Sequence, residues 1–340
     1  MIGLSVRAIA ALTLMLATAG IGRADSVADF YRGKTVEVYV GYSTGGGYDV
    51  YARMLARHMG RFIPGNPTLV PKNMEGAGSL RLANWLANAA PRDGTVFGTI
   101  GRGTAFDPVL GQPGAQFVAS DFSWIGSMNN ETSICAVWET SGVKTFADLL
   151  NKELVVGAVS NNDDTGQFAR VMNTVLGTKM KIVAGYPGGN DVVLAMERGE
   201  VQGRCGWSWS TVLATHLSWW KEHKINILVQ LALAKHPDLP DVPLVTDLAK
   251  TGAQRQMLRM IFARQVMGRP FVAPPGVPAD RLAALRTAFM QTLTDKEFLA
   301  DSEKMNLEIA PVNGEKVDAL VKEIYATPPE VAKQAAAALK

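Results

Sequence analysis

The stretch VEVYVGYSTGGGYD, residues 36–49, decides the first unit of the fold. Its valines alternate with more polar residues, which predicts a β-strand. Apolar residues then recur at helical spacing from Val50 to Met59. Three adjacent glycines, residues 45–47, separate the two segments. The predicted order is therefore strand, glycine turn, helix.

This glycine turn is suited to a bound anion. Glycines let the backbone turn through positive φ and let a guest approach without obstruction by side chains. The helix that follows points its unpaired N–H groups and the positive end of its dipole at the same place. A carboxylate or a phosphate is the natural occupant. A tight turn without any ligand is the alternative.

The same order recurs along the chain. Strand-like segments end in the turns 75–79 and 101–104, and the pattern starts again after about Ser127, with further turns at 160–166 and 185–191. In an open parallel α/β sheet, such turns lie together at the carboxyl ends of the strands, where ligands bind. We therefore expect the first three turns to share a crevice and a second α/β unit to follow.

The second unit offers further candidates. The turn 160–166 is rich in residues that cap helices, so it is either a second anion cradle or a plain helix cap. Asp163 and Asp164 within it would repel an anion that they faced. Arg204 could hold a carboxylate through two parallel hydrogen bonds, or it could be a solvated surface residue. Trp207 could line a pocket or pack in the core.

Composition excludes some classes of protein. The chain has 340 residues, 47% hydrophobic and 19% charged, which suits a globular protein large enough for two lobes. The net charge of +3 gives no nucleic-acid-binding field.

The N-terminus has the pattern of a secretory signal peptide over residues 1–24. Arg7 is followed by the apolar segment 8–16, and residues 22–24 form a cleavage signal of the small-x-small kind. A membrane anchor is the alternative, but the apolar segment is shorter than the ~20 residues that span a bilayer. We expect export to the periplasm, with cleavage, and a mature chain that is soluble.

Two cysteines, Cys135 and Cys205, would reach an oxidising compartment, where they could pair. Sequence alone does not show that they come close enough, so two buried thiols are the alternative. We expect no metal site and no cofactor, because the four histidines show no ligand spacing: His58, His216, His223 and His236.

The motifs of nucleotide chemistry are incomplete in this chain. The turn 41–49 lacks the Gly-Lys-Ser/Thr ending of a P-loop, and no glycine cluster completes GxGxxG. The segment GWSWS, residues 206–210, matches a nucleophile elbow except for its last position, where serine replaces glycine. An exported α/β hydrolase that uses Ser208 is therefore an alternative, while glycine turns without catalytic partners favour a binding protein.

Taken in order, these motifs resemble those of the Bug-type (TctC-like) extracytoplasmic solute receptors of tripartite tricarboxylate transporters, over nearly the whole mature sequence. The family's GGGxD motif is matched by residues 45–49 and its NxxGAG motif by residues 73–78. Other matching motifs are APRDG at 90–94, YPGG at 186–189, GEV at 199–201, LPDVP at 239–243 and APPGVP at 273–278.

The resemblance implies an α/β, two-lobe periplasmic-binding-protein fold (Venus-flytrap, type II) with mixed sheets and a ligand cleft between the lobes. We expect residues 25–127 and 229–340 to form one lobe and 128–228 the other. The resemblance also implies a monomeric receptor, not an enzyme, that takes a mono-, di- or tricarboxylate to two integral-membrane permease subunits. A protein that presents its ligand to a membrane sensor is the alternative.

Residue type and position relative to the family give an expected ligand site on turns of both lobes. Many family members differ at 42–44 and 93–95, and the turn 160–164 is unusually acidic, so the ligand is left open. In the first lobe the expected contacts are Tyr42, Ser43, Thr44, Gly45, Gly46, Gly47, Asp49, Gly76, Ala77, Gly78, Ser79, Arg102, Gly103 and Thr104. In the second lobe they are Ser160, Asn161, Thr165, Gly166, Tyr186, Asn190, Asp191, Arg204 and Trp207.

Overall fold

A computed structural model describes residues 26–339, and the predicted signal peptide lies outside them. The strands in chain order are β1 (Thr35–Val40), β2 (Thr68–Asn73), β3 (Val96–Thr99), β4 (Ser123–Ser127), β5 (Ser133–Trp138), β6 (Leu154–Ala158), β7 (Met180–Ala184), β8 (Gly203–Ser208), β9 (Ile225–Leu231), β10 (Pro270–Ala273) and β11 (Val312–Asn313). None of the helices within 26–339 is long and apolar enough to cross a membrane.

Thirteen α-helices of the described residues flank the strands. They are α1 (Val27–Tyr31), α2 (Gly47–Met59), α3 (Leu80–Asn88), α4 (Phe146–Asn151), α5 (Asp164–Val171), α6 (Gly189–Glu197), α7 (Trp209–Thr215), α8 (Leu217–Lys221), α9 (Gly252–Phe262), α10 (Ala279–Thr294), α11 (Lys296–Lys304), α12 (Gly314–Tyr325) and α13 (Pro329–Ala338).

The strands form two mixed sheets. The first has the order β11-β4-β10-β3-β1-β2, in which β1 runs parallel to β2 and β3. The second has the order β7-β6-β8-β5-β9, in which β6 runs parallel to β7 and β8. The antiparallel strands β10 and β5 make each sheet mixed. Each sheet is the centre of one lobe, and the parallel strands bring their glycine turns to one edge.

The first strand shows how the sequence pattern becomes packing. Val36, Val38 and Val40 are fully buried in one core with Tyr51 and Leu55 of α2. Full burial of a valine side chain contributes about 1.5–3 kcal/mol to stability. The alternating valines therefore determine which face of β1 packs against the core. The turn at its end is thereby held in one position.

We propose that the chain returns from the second lobe later than the predicted boundary at 228. That boundary falls inside β9, which belongs to the second sheet. Phe262 of α9 is buried in the second core, whereas β10 pairs in the first sheet. Leu339 is buried in the second core as well. We therefore propose that the chain crosses back within 263–269 and that its C-terminal helix packs on the second lobe.

A disulfide joins Cys135 of β5 to Cys205 of β8, so the pairing that the sequence left open is present in the structure. These strands are antiparallel neighbours, and their register shifts at the position of the two cysteines. Arg204 and Trp207 lie on the same short strand. The covalent bond therefore restrains the strand that carries both predicted site residues.

Candidate functional site

A cavity lies between the two lobes, where their glycine turns meet. The turn between β1 and α2 forms one wall, and the start of α6 forms the opposite wall. The open space measures about 50 Å³, which is room for a few water-sized groups. The cavity therefore suits a small guest.

The first wall is the start of α2. Gly46 is the N-cap residue and has no side chain that could satisfy the first N–H groups of the helix. The carboxylate of Asp49 accepts hydrogen bonds from the Gly45 N–H group (2.9 Å), Arg53 Nε (2.8 Å) and Asn73 Nδ2 (2.9 Å). Asp49 therefore braces the turn and does not line the cavity.

The opposite wall is the start of α6, whose N-cap residue Gly188 also offers no side-chain cap. A Cβ atom at Gly188 would lie only 2.1 Å from Ser43 Oγ, so the two lobes come close together at this glycine. Two uncapped helix N-termini thus face one cavity. This arrangement favours a negative charge between them.

Four residues join the two walls across the mouth of the cavity, and we name them the interlobe latch: Ser43, Thr44, Asn190 and Asp191. The Ser43 hydroxyl donates to the Asp191 carboxylate at 2.7 Å. Asn190 Nδ2 donates to the backbone carbonyl of Thr44 at 3.0 Å. Only Asn190 of these residues also lines the cavity, so most of the latch holds the lobes together beside it.

Two of the arginines in the cavity wall are already paired with acids. Arg102 forms a short ion pair with Asp164. Arg269 lies 3.0 Å from Glu131, and both side chains are almost completely buried. Each of these arginines therefore has a carboxylate partner within the protein.

Arg204 is different, because it forms no salt bridge with any residue of the described part of the chain. Its side chain is buried against Trp207, with the guanidinium carbon 5.6 Å from the ring centre. Nη1 donates to the carbonyl of Gly189 at 2.9 Å, whereas the buried Nε has no partner among these residues. Burial lowers the pKa of Arg204 to about 10, so the group is still charged at neutral pH. The cavity wall thus contains a buried, unbalanced cation.

The turn 160–166, predicted as either an anion cradle or a helix cap, caps its own helix. Asp163 Oδ1 accepts from the N–H groups of Thr165 (3.0 Å) and Gly166 (3.3 Å) at the start of α5. Burial raises the pKa of Asp163 to about 6. Because this carboxylate occupies the helix N-terminus, that terminus is not open to a ligand.

The turn at 76–79 lies behind the cavity instead of lining it. The Ser79 hydroxyl accepts from the Gly101 N–H group at 2.7 Å and lies 2.9 Å from Thr104 Oγ1. A Cβ atom at Gly78 would come within 2.6 Å of Asp163 Cβ. These residues set the position of the third turn and the distance between the lobes.

The structure brings nine of the residues expected from sequence to the cavity wall: Tyr42, Gly45, Gly46, Gly47, Arg102, Thr165, Asn190, Arg204 and Trp207. It places the others outside the wall: Ser43, Thr44, Asp49, Gly76, Ala77, Gly78, Ser79, Gly103, Thr104, Ser160, Asn161, Gly166, Tyr186 and Asp191. Asn161, for example, is exposed and accepts from Arg170.

Twelve further lining residues are not among the expected contacts, although Asp163, Asp164 and Gly189 lie in turns that the sequence singled out: Tyr48, Val159, Asp163, Asp164, Gly189, Val193, Gly206, Ser208, Thr211, Thr215, His216 and Arg269. Some had a signal, because residues 206–208 end β8 and α7 follows directly, the same strand-to-helix order used for the first turn. Arg269 had none, since it lies more than a hundred residues from the acid that it pairs with.

Ser208 and His216 both line the cavity but do not form a catalytic pair. The Ser208 hydroxyl accepts from Arg102 Nη2 at 3.0 Å, and no imidazole bonds to it among the described residues. His216 lines the cavity, but its Nδ1 lies 2.6 Å from Thr215 Oγ1. Burial lowers the pKa of His216 to about 4, so it is neutral near pH 7. Within residues 26–339, Ser208 thus has no hydrogen-bonded imidazole to act as the base that a hydrolase requires.

One group of side chains outside the cavity has the spacing of a metal site. The potential ligand atoms of His58, Asp295 and Glu297 lie within 4.8 Å of one another. However, Arg61 forms ion pairs with both carboxylates. The guanidinium already supplies the positive charge that a metal ion would bring.

Comparison with models of protein families and with curated proteins finds no match. Solved structures of similar fold include the periplasmic binding protein BugD, with 19% identity, a TM-score of 0.73 and coverage of 91% of this chain and 98% of that one. The R. palustris protein Rpa4515, solved with adipate, has 18% identity, a TM-score of 0.70 and coverage of 89% and 97%. MatC from Rhodopseudomonas palustris, solved with bound malate, has 19% identity, a TM-score of 0.70 and coverage of 89% and 99%.

At these identities the likeness concerns the fold. It confirms the predicted α/β periplasmic-binding-protein fold with two mixed sheets, and it extends over nearly the whole of each compared chain.

Proposed function

We propose that the protein is an extracytoplasmic solute receptor of the Bug type, which binds a small organic carboxylate between its lobes. Arg204 carries this proposal, because it is a buried cation in the cavity wall with no carboxylate partner among the described residues. A planar guanidinium matches the geometry of a carboxylate through two parallel hydrogen bonds. A carboxylate ligand would supply the missing negative charge.

The energetics support a bound anion at this position. Burying a lone charge costs several kcal/mol after relaxation, and pairing it with an opposite charge offsets that cost. The helix starts at Gly47 and Gly189 each add about 0.3–1 kcal/mol when exposed and up to about 2 kcal/mol when partly buried. The cation and the two helix ends therefore act on the same ligand charge.

Closure of the lobes would couple to binding through the interlobe latch. Its hydrogen bonds form only when Ser43 and Asp191 of opposite lobes meet. A ligand that contacts both walls binds the closed form better than the open form, and this difference shifts the population toward closure.

The proteins of similar fold support the carboxylate class, since two of them were solved with adipate and malate. The disulfide between Cys135 and Cys205 fits an oxidising compartment such as the periplasm. We therefore propose export by the signal peptide at 1–24 and delivery of the ligand to two permease subunits of a tripartite tricarboxylate-type transporter.

A thermal-shift screen of the exported protein tests the binding proposal. Propanoate, lactate, succinate, malate, adipate, citrate and benzoate would each be added at increasing concentration. A ligand that binds only the folded state raises the Tm progressively with its concentration. If no acid raises the Tm, the proposed function is wrong.

Uptake measurements test the delivery step. In cells that lack the protein, we expect uptake of the radiolabelled ligand to fall, and we expect the intact gene to restore it. Normal uptake together with loss of a transcriptional response to the acid would instead assign the protein to a membrane sensor.

A further inference from the structure

The arginines around the cavity differ in whether an acid of the protein pairs with them. Asp164 pairs with Arg102 and also lies 3.2 Å from Arg264. Glu131 pairs with Arg269. These three arginines share two acids, and within the described residues Arg204 is the arginine of the cavity wall that no acid pairs with.

Asp163 is an acid of the cavity wall that, like Arg204, has no charged partner within the described residues. It lines the same cavity, its side chain is 6% exposed, and it forms no salt bridge with the described residues. Oδ1 accepts the hydrogen bonds that cap α5, whereas Oδ2 accepts none from this part of the chain. A buried carboxylate oxygen in a cavity wall stabilises a hydrogen-bond donor placed against it.

Arg204 and Asp163 line the same cavity, but no salt bridge joins them within the described residues. Asp163 raises the pKa of Arg204 and Arg204 lowers that of Asp163, although burial outweighs both effects. A short ligand could therefore reach both groups. The rest of the wall includes the apolar side chains of Val159 and Val193 and the neutral imidazole of His216, and offers no further free charge in 26–339.

Within the proposed function, on which this inference rests, we propose that the cleft selects a short acid with a single carboxylate and one donor group. Arg204 holds the carboxylate, and a hydroxyl or ammonium group of the ligand donates to Asp163 Oδ2. A second carboxylate would face the carboxylate of Asp163, and the other arginines of the described cavity wall, Arg102 and Arg269, each already have an acid partner. The cleft therefore discriminates against the di- and tricarboxylates.

Calorimetry with a matched series of three- and four-carbon acids tests this selection. We expect lactate or alanine to bind at least about tenfold more tightly than propanoate, because each adds one donor to a charged acceptor. We expect malate and succinate to bind at least about tenfold more weakly than the better of lactate and alanine. If succinate or malate binds as tightly as the monocarboxylates, the selection is overturned while the carboxylate receptor stands. If no acid of any kind binds, the receptor function itself fails.

The variant Asp163→Asn separates this role from helix capping, because asparagine also caps helices well. It removes the negative charge and adds a donor that suits a second carboxylate. We expect lactate or alanine to lose about tenfold in affinity, and succinate to gain relative to both.

The matched control is Asp295→Asn, since Asp295 caps α11 by the same type of hydrogen bonds, to the N–H groups of Glu297 (3.1 Å) and Phe298 (3.0 Å). It does not line the cavity, so the order of affinities should be unchanged. An unchanged order in the folded Asp163→Asn variant would overturn the proposal.

Discussion

Replacing Arg204 by methionine should abolish ligand binding and leave the ligand-free protein at least as stable. The effects on binding and on stability have opposite signs, because the buried charge of Arg204 attracts the ligand but destabilises the ligand-free protein. Methionine keeps an unbranched apolar side chain that can pack against Trp207, while it removes the charge.

The size of each effect follows from the environment of Arg204. A pKa lowered from 12.5 to about 10, mainly by burial, corresponds to a penalty of about 3 kcal/mol on the charged form. This penalty is fully present below pH 10 and disappears as the pH rises beyond the folded-state pKa. Loss of the hydrogen bond to the Gly189 carbonyl costs about 1–3 kcal/mol. We therefore expect the free energy of unfolding to stay level or to rise by up to about 2 kcal/mol.

Ligand affinity should fall much further. Removing one partner of a buried ion pair costs about 3–5 kcal/mol, which corresponds to a factor of about 10²–10³ or more in Kd. Calorimetry would measure the affinity, and urea unfolding at pH 7 would measure the stability of the ligand-free protein.

The matched control for this variant is Arg198→Met, since Arg198 lies in the same lobe with a side chain that is 62% exposed. We expect it to change neither quantity appreciably. Unchanged affinity in Arg204→Met, or a loss of more than about 3 kcal/mol in stability, would refute the reasoning.

Three further predictions concern the cleft. Gly188→Ala should weaken binding at least about tenfold, because its Cβ would lie 2.1 Å from Ser43 Oγ. Adding Ser43→Gly should restore part of the affinity, as measured by calorimetry. If the second substitution restores no affinity, the cause is not steric. Gly46→Val should likewise weaken binding, since a Cβ at that position already lies 3.4 Å from Asn190 Oδ1, while circular dichroism should show a folded protein; unchanged affinity would make the turn purely structural. Asp163→Asn should stabilise the protein by up to about 3 kcal/mol more at pH 7 than at pH 4. The reason is that burial raises the folded-state pKa of Asp163 from 3.8 to about 6, so the native state of the unchanged protein loses stability as the pH rises through that range. Urea unfolding would measure both proteins across this range, and a difference in unfolding free energy that does not change with pH would exclude the effect.

Several parts of the fold follow from local sequence. The alternation at 36–40 and the helical spacing after Gly47 specify β1 and α2 because each pattern matches the period of one type of backbone. The glycine turn lies between them, so its place beside the cavity follows as well. The return crossing that we propose at 263–269 did not follow, because it rests on the pairing of β9 in the second sheet and the burial of Phe262 in the second core, contacts that no local motif encodes.

Some residues of the candidate site also follow from local sequence, whereas others depend on the tertiary structure. Gly45–Gly47 and Asn190 were found because they begin helices that follow strands, which is a local signal. The turn at 160–166 has the same local signal, yet Asp163 fills the end of its own helix. A capping side chain and a ligand compete for the same N–H groups, and only the three-dimensional arrangement shows which one is present.

The sequence by itself determined the strand, turn and helix units of this protein, together with the helix starts that favour an anion. The tertiary structure decided which arginine is available to the ligand. Arg102 and Arg269 are neutralised by Asp164 and Glu131, acids that lie far from them in the chain, whereas Arg204 is buried without such a partner among the described residues. Ion pairing depends on distances between side chains in the folded protein, and no local pattern encodes those distances.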